Sequence, residues 1–483
     1  MQETNIAKKR TLRDRVPILT KISYSLGTAV DMWGLWLYPA VSYMVFNLYL
    51  GLDPRLVGIV VGSLRFWDAI VDPVVGWVSD NLRTRHGRRR PFILIAGILS
   101  GLLLPVLFLM SPAWVEIKFL GISVVFWYMI GSNFIYIPII SAFTVPYYSL
   151  GNEMTPDYEE RTSIMSFRSI AQKISEIGNF LAFKFTTLAW FLIPETGQQN
   201  TLLAMRIYTS ILGLMMAVFA VIIFLRVKER YYETVVVKLK TRISILSSYG
   251  ETLRCRPFRY ILIMGFAFTF GTSMVGALGY YVTRFYVAGG NEIAGNSWQS
   301  WMGLAFMFGG IVGVPIHATF AHRIGKRKAA IIACLVGICG YGGSWFLYTP
   351  HIQWLQMVSS ALIGVSASSL WMLHAAIGAD IQDYDELNTG TRREGSFTAC
   401  GSYILKFGNA IGTLLCGFII AWSGFTWERQ VQLPETLFRL RAGLAIFPVL
   451  GLIVAIIFIL KVFITKQMAE DIRGQLEDRR GEV

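Results

Sequence analysis

Residues 92–110 (FILIAGILSGLLLPVLFLM) and 443–464 (GLAIFPVLGLIVAIIFILKVFI) are apolar around nearly the whole circumference of a helix. A helix packed against a water-soluble core needs a polar outer face, and these segments have none. About 20 such residues cross the ~30 Å hydrocarbon layer of a bilayer. Segments of that length recur along the chain at approximately 20–49, 55–80, 91–111, 117–149, 162–192, 203–227, 259–287, 297–320, 328–348, 352–378, 396–423 and 437–464. The expected fold is therefore an all-α membrane protein with twelve transmembrane helices. Composition agrees: 54% of the 483 residues are apolar and 15% charged, with a mean hydropathy of +0.51.

The net charge of +14 does not point to nucleic acid, because the basic residues sit in short tracts between apolar spans. Lys8 to Arg15, Arg83 to Arg90, the segment 228–259 and Arg323 to Lys328 all alternate onto one face, which the positive-inside rule makes cytoplasmic. With an even number of spans, both termini belong on that side of a bacterial-type inner membrane. The polar start of the chain lacks a signal-peptide pattern, so the first span should direct insertion. Five cysteines show no metal-ligand or redox spacing and read as reduced packing residues.

An internal echo divides the chain in two. Asp157-Tyr158-Glu159-Glu160 follows the fourth span and Asp383-Tyr384-Asp385-Glu386 the tenth; arginine and then Ser-Phe (Ser166-Phe167, Ser396-Phe397) come after each. Parallel repeats of this kind imply two pseudo-symmetric six-helix bundles with a substrate site between them. The expected divisions are an N-terminal segment 1–19, a first bundle 20–227, a linker 228–258, a second bundle 259–464 and a charged cytoplasmic tail 465–483.

Eight ionisable residues fall within spans: Asp31, Arg65, Asp68, Asp72, Arg168, Lys173, Glu176 and Lys406. Facing lipid, each would cost about 2.5–3.5 kcal/mol, roughly 20 kcal/mol for the set, so they must face one another or water. Arg65, Asp68 and Asp72 are spaced i, i+3, i+7 on one helical face. Two carboxylates one turn apart make a candidate cation site, since if both ionise their repulsion favours uptake of a proton or another cation. The structural alternative is that Arg65 neutralises Asp68 while Asp72 caps a kink at Pro73. Arg168, Gln172, Ser175 and Asn179 form one polar stripe and Ser402, Lys406, Asn409 and Thr413 another, both suited to a hydroxyl-rich ligand. Lys173 and Glu176 lie off the first stripe and read as a structural pair. Trp33, Trp36 and Trp371 could stack on a sugar ring, although tryptophan is common at membrane interfaces for other reasons. His374, one turn beyond Trp371, is either a proton carrier or a hydrogen-bonded core residue.

The segment Asp68-Ala-Ile-Val-Asp72-Pro73-Val-Val-Gly76-Trp-Val-Ser-Asp80, with the basic tract ending Arg88-Arg89-Arg90-Pro91, resembles the glycoside-pentoside-hexuronide:cation symporter family, the melibiose-permease branch of the major facilitator superfamily. Asp380 to Glu386, Arg393 to Phe397 and Lys406 resemble its second signature. The resemblance covers nearly the whole chain and implies cation-coupled sugar transport. It implies that Asp68 and Asp72 are the cation carboxylates, with Ser141 and Thr144 beside them, and that both would be metal ligands if the cation is sodium. Lys406 would link the cation and sugar sites, and Asp31, Tyr148, Arg168, Gln172, Trp371 and Ser402 would meet the sugar. Thr144, Tyr148 and Val71 stand where melibiose permease has aspartate, tryptophan and asparagine. The two remaining carboxylates suit a proton at least as well as sodium, because a proton needs no oxygen shell.

The expected protein is a monomeric secondary transporter that binds no cofactor and co-transports H+ or Na+ with a sugar, glycoside or sugar acid. Arg88, Arg89 and Arg90, with Asp157, Arg161, Asp383, Asp385 and Arg393, are expected to form ion pairs that latch the cytoplasmic side. An uncoupled facilitator is the alternative. A membrane-embedded lipid-handling enzyme is disfavoured by the lack of a nucleophile elbow, a histidine cluster or a phosphate-cradling loop.

Overall fold

In hydrocarbon every backbone N–H and C=O must find its partner within the chain, which makes long helices the default. The computed structural model describes residues 15–82, 84, 87–155, 158–195, 197–229, 252–390 and 393–480. Helix α1 is built from Ile18–Ser25, Gly27–Ser42 and a π-helical turn, Tyr43–Tyr49. It is followed by α2 (Pro54–Asn81), α3 (Arg90–Leu103), α4 (Val124–Glu153), α5 (Tyr158–Phe185) and α6 (Thr201–Arg226). Helix α7 comprises Arg256–Ser273, Val275–Tyr281 and a second π-helical turn, Val282–Val287. Then come α8 (Glu292–Ile324), α9 (Lys326–Leu347), α10 (Leu355–Thr389), α11 (Glu394–Trp422), α12 (Pro434–Lys461) and α13 (Lys466–Arg480). Among the described residues nine helices are long and apolar enough to cross a membrane. Helices α1, α2 and α5 complete the expected twelve; they miss that threshold because α1 is broken into short pieces and α2 and α5 carry the intramembrane charges. Helices α1 and α7 both end in a π-helical turn, whereas their upstream breaks, at Leu26 and Met274, fall at different heights, so the π turn alone among these irregularities is repeated.

Several boundaries differ from the sequence reading. The fourth span was placed from 117, but residues 118–123 form a hairpin, β1 (Lys118–Phe119) against β2 (Ile122–Ser123), turning through Leu120 and Gly121 at positive φ. Helix α10 continues three turns past 378, so Asp380, Asp383 and Asp385 lie on a helix rather than in an acidic loop; Gly390, at φ +68°, ends it. The tail expected after 465 is helical in α13, which buries Ile472 and Leu476 and packs against α10.

The chain packs as two units: the described parts of Met1–Leu52 with Trp67–Thr241, and those of Asp53–Phe66 with Arg242–Val483. Thus α2 is divided after Phe66, whereas the sequence reading kept it whole in the first bundle. The reason is close packing on α11: a Cβ at Gly62 would meet Leu414 Cβ at 2.8 Å, and Phe66 lies edge-on to Phe407 at 5.3 Å. Most of the linker 228–258 lies outside the described residues.

The first unit has an aromatic core of Tyr38, Phe46 and Phe108, with centroids 5.6–6.1 Å apart. Its tightest crossing is α3 on α6, where Gly101 and Gly213 each put a carbonyl against the other's Cα, leaving no space for a Cβ on either. Small residues allow this approach, and van der Waals contact is the main attraction left between helices in lipid. Gly101→Val should therefore lower stability by about 1–3 kcal/mol, read as a fall in the melting temperature of the detergent-purified protein. Unchanged melting would contradict the close crossing. In the second unit Phe258, Phe268, Tyr341, Leu373 and Phe397 belong to one buried cluster.

Candidate substrate and cation site

Two polar clusters form inside the first unit. In one, Asp31 of α1 is 2% exposed and its Oδ2 accepts a hydrogen bond from the Tyr148 hydroxyl of α4 at 2.5 Å. The Arg168 guanidinium of α5 lies over the Tyr148 ring, 4.1 Å from its centroid, and 5.9 Å from that of Tyr147. Tyr147 is itself clamped by Tyr24, stacked at 4.7 Å, whose hydroxyl donates to the Tyr147 carbonyl at 3.3 Å. Three helices thus deliver a carboxylate, a phenol and a guanidinium to one place. A carboxylate accepts from sugar hydroxyls, and a guanidinium donates to hydroxyl or carboxylate oxygens in a planar fork.

In the other cluster Asp68 of α2, also 2% exposed, accepts from Ser141 Oγ of α4 at 3.3 Å. Thr144 is buried one turn on and donates to the Ser141 carbonyl at 3.4 Å. Asp72 is half-buried one turn beyond Asp68 on α2. A neutral hydroxyl stabilises a carboxylate's charge without cancelling it, and Arg65, 7% exposed one turn before Asp68 on α2, is buried at the same level of the helix. Among the described residues no group of three or more His, Cys, Asp and Glu could hold a metal ion; a sodium ion here would draw on hydroxyl oxygens as well as the two carboxylates.

Other residues from the sequence reading lie elsewhere. Trp33 is 7% exposed, donates to the Ser175 carbonyl at 2.9 Å and packs on Gly178, so it presents no open ring face to a sugar. Asn179 Nδ2 donates to the Met32 carbonyl at 3.3 Å, and Ser175 Oγ to the Ala171 carbonyl at 2.7 Å. The lower half of the α5 stripe therefore fastens α5 to α1, leaving Arg168 and half-buried Gln172 as its ligand-capable members. Lys173 and Glu176 pair with each other at 2.9 Å. In the second unit Trp371 is 48% exposed, held edge-on by Phe268 at 5.9 Å; Ser402 is exposed and Lys406 half-buried on α11. His374 is half-buried, bonded to the Ile261 backbone with its Nε2 enclosed beside Gly265, which matches a core histidine.

Of the expected latch residues, Arg88, Arg89 and Arg90 use their backbone amides, at 3.1, 2.8 and 3.0 Å, to bind the Glu229 carboxylate. Gly87 is needed at that turn: its φ is +100° and a Cβ would stand 2.6 Å from Glu229 Oε1. The Arg90 guanidinium reaches the Phe224 carbonyl and ring. Arg161 donates to the Thr155 carbonyl at 3.4 Å, while Lys21 pairs with Glu160 at 2.7 Å. Asp385 is held by Arg393 through bonds of 2.8–3.2 Å, and Asp380 by Lys326 at 2.5 Å, both pairs within the second unit. Asp383 is half-buried, and Asp157 lies outside the described residues. The Tyr24–Tyr147 clamp and the Glu229 clasp were absent from the sequence reading. The adjacent Tyr147-Tyr148 pair was a visible signal for the first, and a lone glutamate behind a basic tract for the second.

Residues 25–466 match the family model described as MFS/sugar transport protein. The glucuronide carrier protein homolog of Escherichia coli (strain K12) is 25% identical over 471 residues, covering 95% of this chain and 96% of that one. The isoprimeverose transporter of Lactiplantibacillus pentosus is 25% identical over 451 residues, covering 91% and 87%. The crystal structure of the nucleoside transporter NupG superposes with a TM-score of 0.56 at 14% identity, covering 95% of this chain and 98% of that one, a likeness of fold alone. As the paired signatures on α2 and on α10–α11 had indicated, the chain belongs to the MFS/sugar transport protein family.

Proposed function

We propose that this transporter carries a sugar, glycoside or sugar acid by symport with H+ or Na+, alternating access between two six-helix bundles. The observation that carries the proposal is the presence, in one unit, of a buried hydroxyl-bonded carboxylate, Asp68 with Ser141, and a separate Asp31–Tyr148–Arg168 cluster. Asp68 and Asp72 take the cation; Asp31, Tyr148, Arg168 and Gln172 take the sugar, a role the family resemblance extends to Trp371, Ser402 and Lys406. Arg168 suits a uronate, in keeping with the glucuronide carrier among the relatives. The chain works as a monomer in a bacterial inner membrane with both termini cytoplasmic, an orientation supported by its basic tracts.

The test is purified protein in sealed liposomes under an imposed proton or sodium gradient, offered glucuronides, pentosides and hexosides. Accumulation that collapses with the matching ionophore is expected. Equilibration without accumulation would make the protein a facilitator, and no movement of any sugar would overturn the substrate class.

A further inference from the structure

The second unit has a half-open cavity of about 750 Å3 where Gly325 joins α8 to α9 and where α12 gives way to α13. This volume falls within the roughly 300–1,000 Å3 of ligand sites. Five cations line it, Lys326, Arg327, Lys328, Lys466 and Arg473, against two carboxylates, Asp380 and Glu470. Lys326 is neutralised by Asp380 at 2.5 Å. Arg327, by contrast, donates to the Leu460 carbonyl at 2.6 Å and Lys466 to the His322 carbonyl at 2.8 Å, with Glu470 only at 3.8 Å. Carbonyls orient these side chains without cancelling their charge, so the rim keeps a positive excess. The inner wall is aliphatic, with Ile331, Ile377 and Ile459 supplied by membrane-spanning helices. The cavity thus runs from the charged helix ends onto the adjoining aliphatic turns of spanning helices. A free anion would use only the rim; a molecule with an anionic head and acyl chains uses both surfaces.

We propose that this cavity binds an anionic glycerophospholipid, its headgroup phosphate held by Lys328, Lys466 and Arg473 and its chains against Ile331, Ile377 and Ile459. Bound lipid would bridge α8, α9 and α12 to α13, which gives the docked C-terminal helix a role. The proposal does not depend on what the protein transports.

Native mass spectrometry of the full chain in neutral detergent, titrated with phosphatidylglycerol or phosphatidylcholine and without sugar or gradient, tests it. One tightly retained phosphatidylglycerol per chain is expected, with phosphatidylcholine failing to replace it. The triple variant Lys328→Gln, Lys466→Gln, Arg473→Gln should bind it about a hundredfold more weakly, on the order of fivefold per charge. The charge-retaining variant Lys328→Arg, Lys466→Arg should keep wild-type binding. Equal retention of the two lipids by the wild-type chain overturns the proposal without any variant. So do undiminished binding by the triple variant and displacement by millimolar glycerol phosphate or inorganic phosphate, the last marking a free-anion site.

Discussion

Asp68→Asn is expected to abolish cation-driven accumulation while leaving sugar exchange across an equilibrated membrane measurable. Asparagine preserves the volume of the aspartate and an oxygen that can accept from Ser141. Only the charge is lost, and charge is what the cation binds. One elementary charge moving through about 100 mV yields about 2.3 kcal/mol. At about 1.4 kcal/mol per tenfold ratio, that sustains roughly fiftyfold accumulation of a neutral sugar. The variant should fall to a ratio near one in liposomes that bring the wild type to tens. Ser141→Ala, which removes a neutral hydrogen bond worth about 0.5–1.5 kcal/mol, should weaken cation affinity yet leave accumulation in place. Full accumulation by Asp68→Asn would move the coupling site elsewhere.

Arg168→Gln is the second large effect, and it falls on sugar binding instead of coupling. A hydrogen bond involving a charged group contributes about 1.5–3 kcal/mol, so affinity should drop about tenfold to a hundredfold, more for a uronate than for its neutral sugar. The guanidinium also covers the Tyr148 ring at 4.1 Å, which keeps that phenol aimed at Asp31. Tyr148→Phe should therefore weaken binding as well, by leaving the buried Asp31 carboxylate without this donor. Titration calorimetry at saturating cation separates the two effects from any change in coupling. If Arg168→Gln binds uronate and neutral sugar as the wild type does, the Asp31–Tyr148–Arg168 cluster is not the sugar site.

The apolar spans, the echo between the two acidic motifs and the identity of the charged helices were readable from the chain, because each is written in a short stretch of it. An apolar run of about 20 residues needs no partner to declare its environment, and Asp68 and Asp72 lie one turn apart on any helix that contains them. The azimuth of each helix against its neighbours is not local. The α5 stripe looked uniform at steps of four, three and four, yet it divides into Arg168, beside Tyr148, and Ser175 and Asn179, turned onto α1. Trp33 had the composition of a sugar platform and became packing for the same reason, once Gly178 let the two helices close. The tenth span read as ending at 378 because the charges beyond it mask the helical period; pairing with Lys326 and Arg393 holds two of those carboxylates on α10.

By itself the sequence determined that this chain lives in a bilayer and which of its charged residues must be shielded from lipid, since hydrophobic transfer energy depends on composition over a short stretch. Only the tertiary structure decided that Tyr148 meets Asp31 across 117 positions, that Ser141 bonds Asp68 across 73, and that α13 closes a basic cavity. Such contacts are fixed by how helices rotate and cross as small residues interlock, a balance among many weak packing terms that no single segment contains.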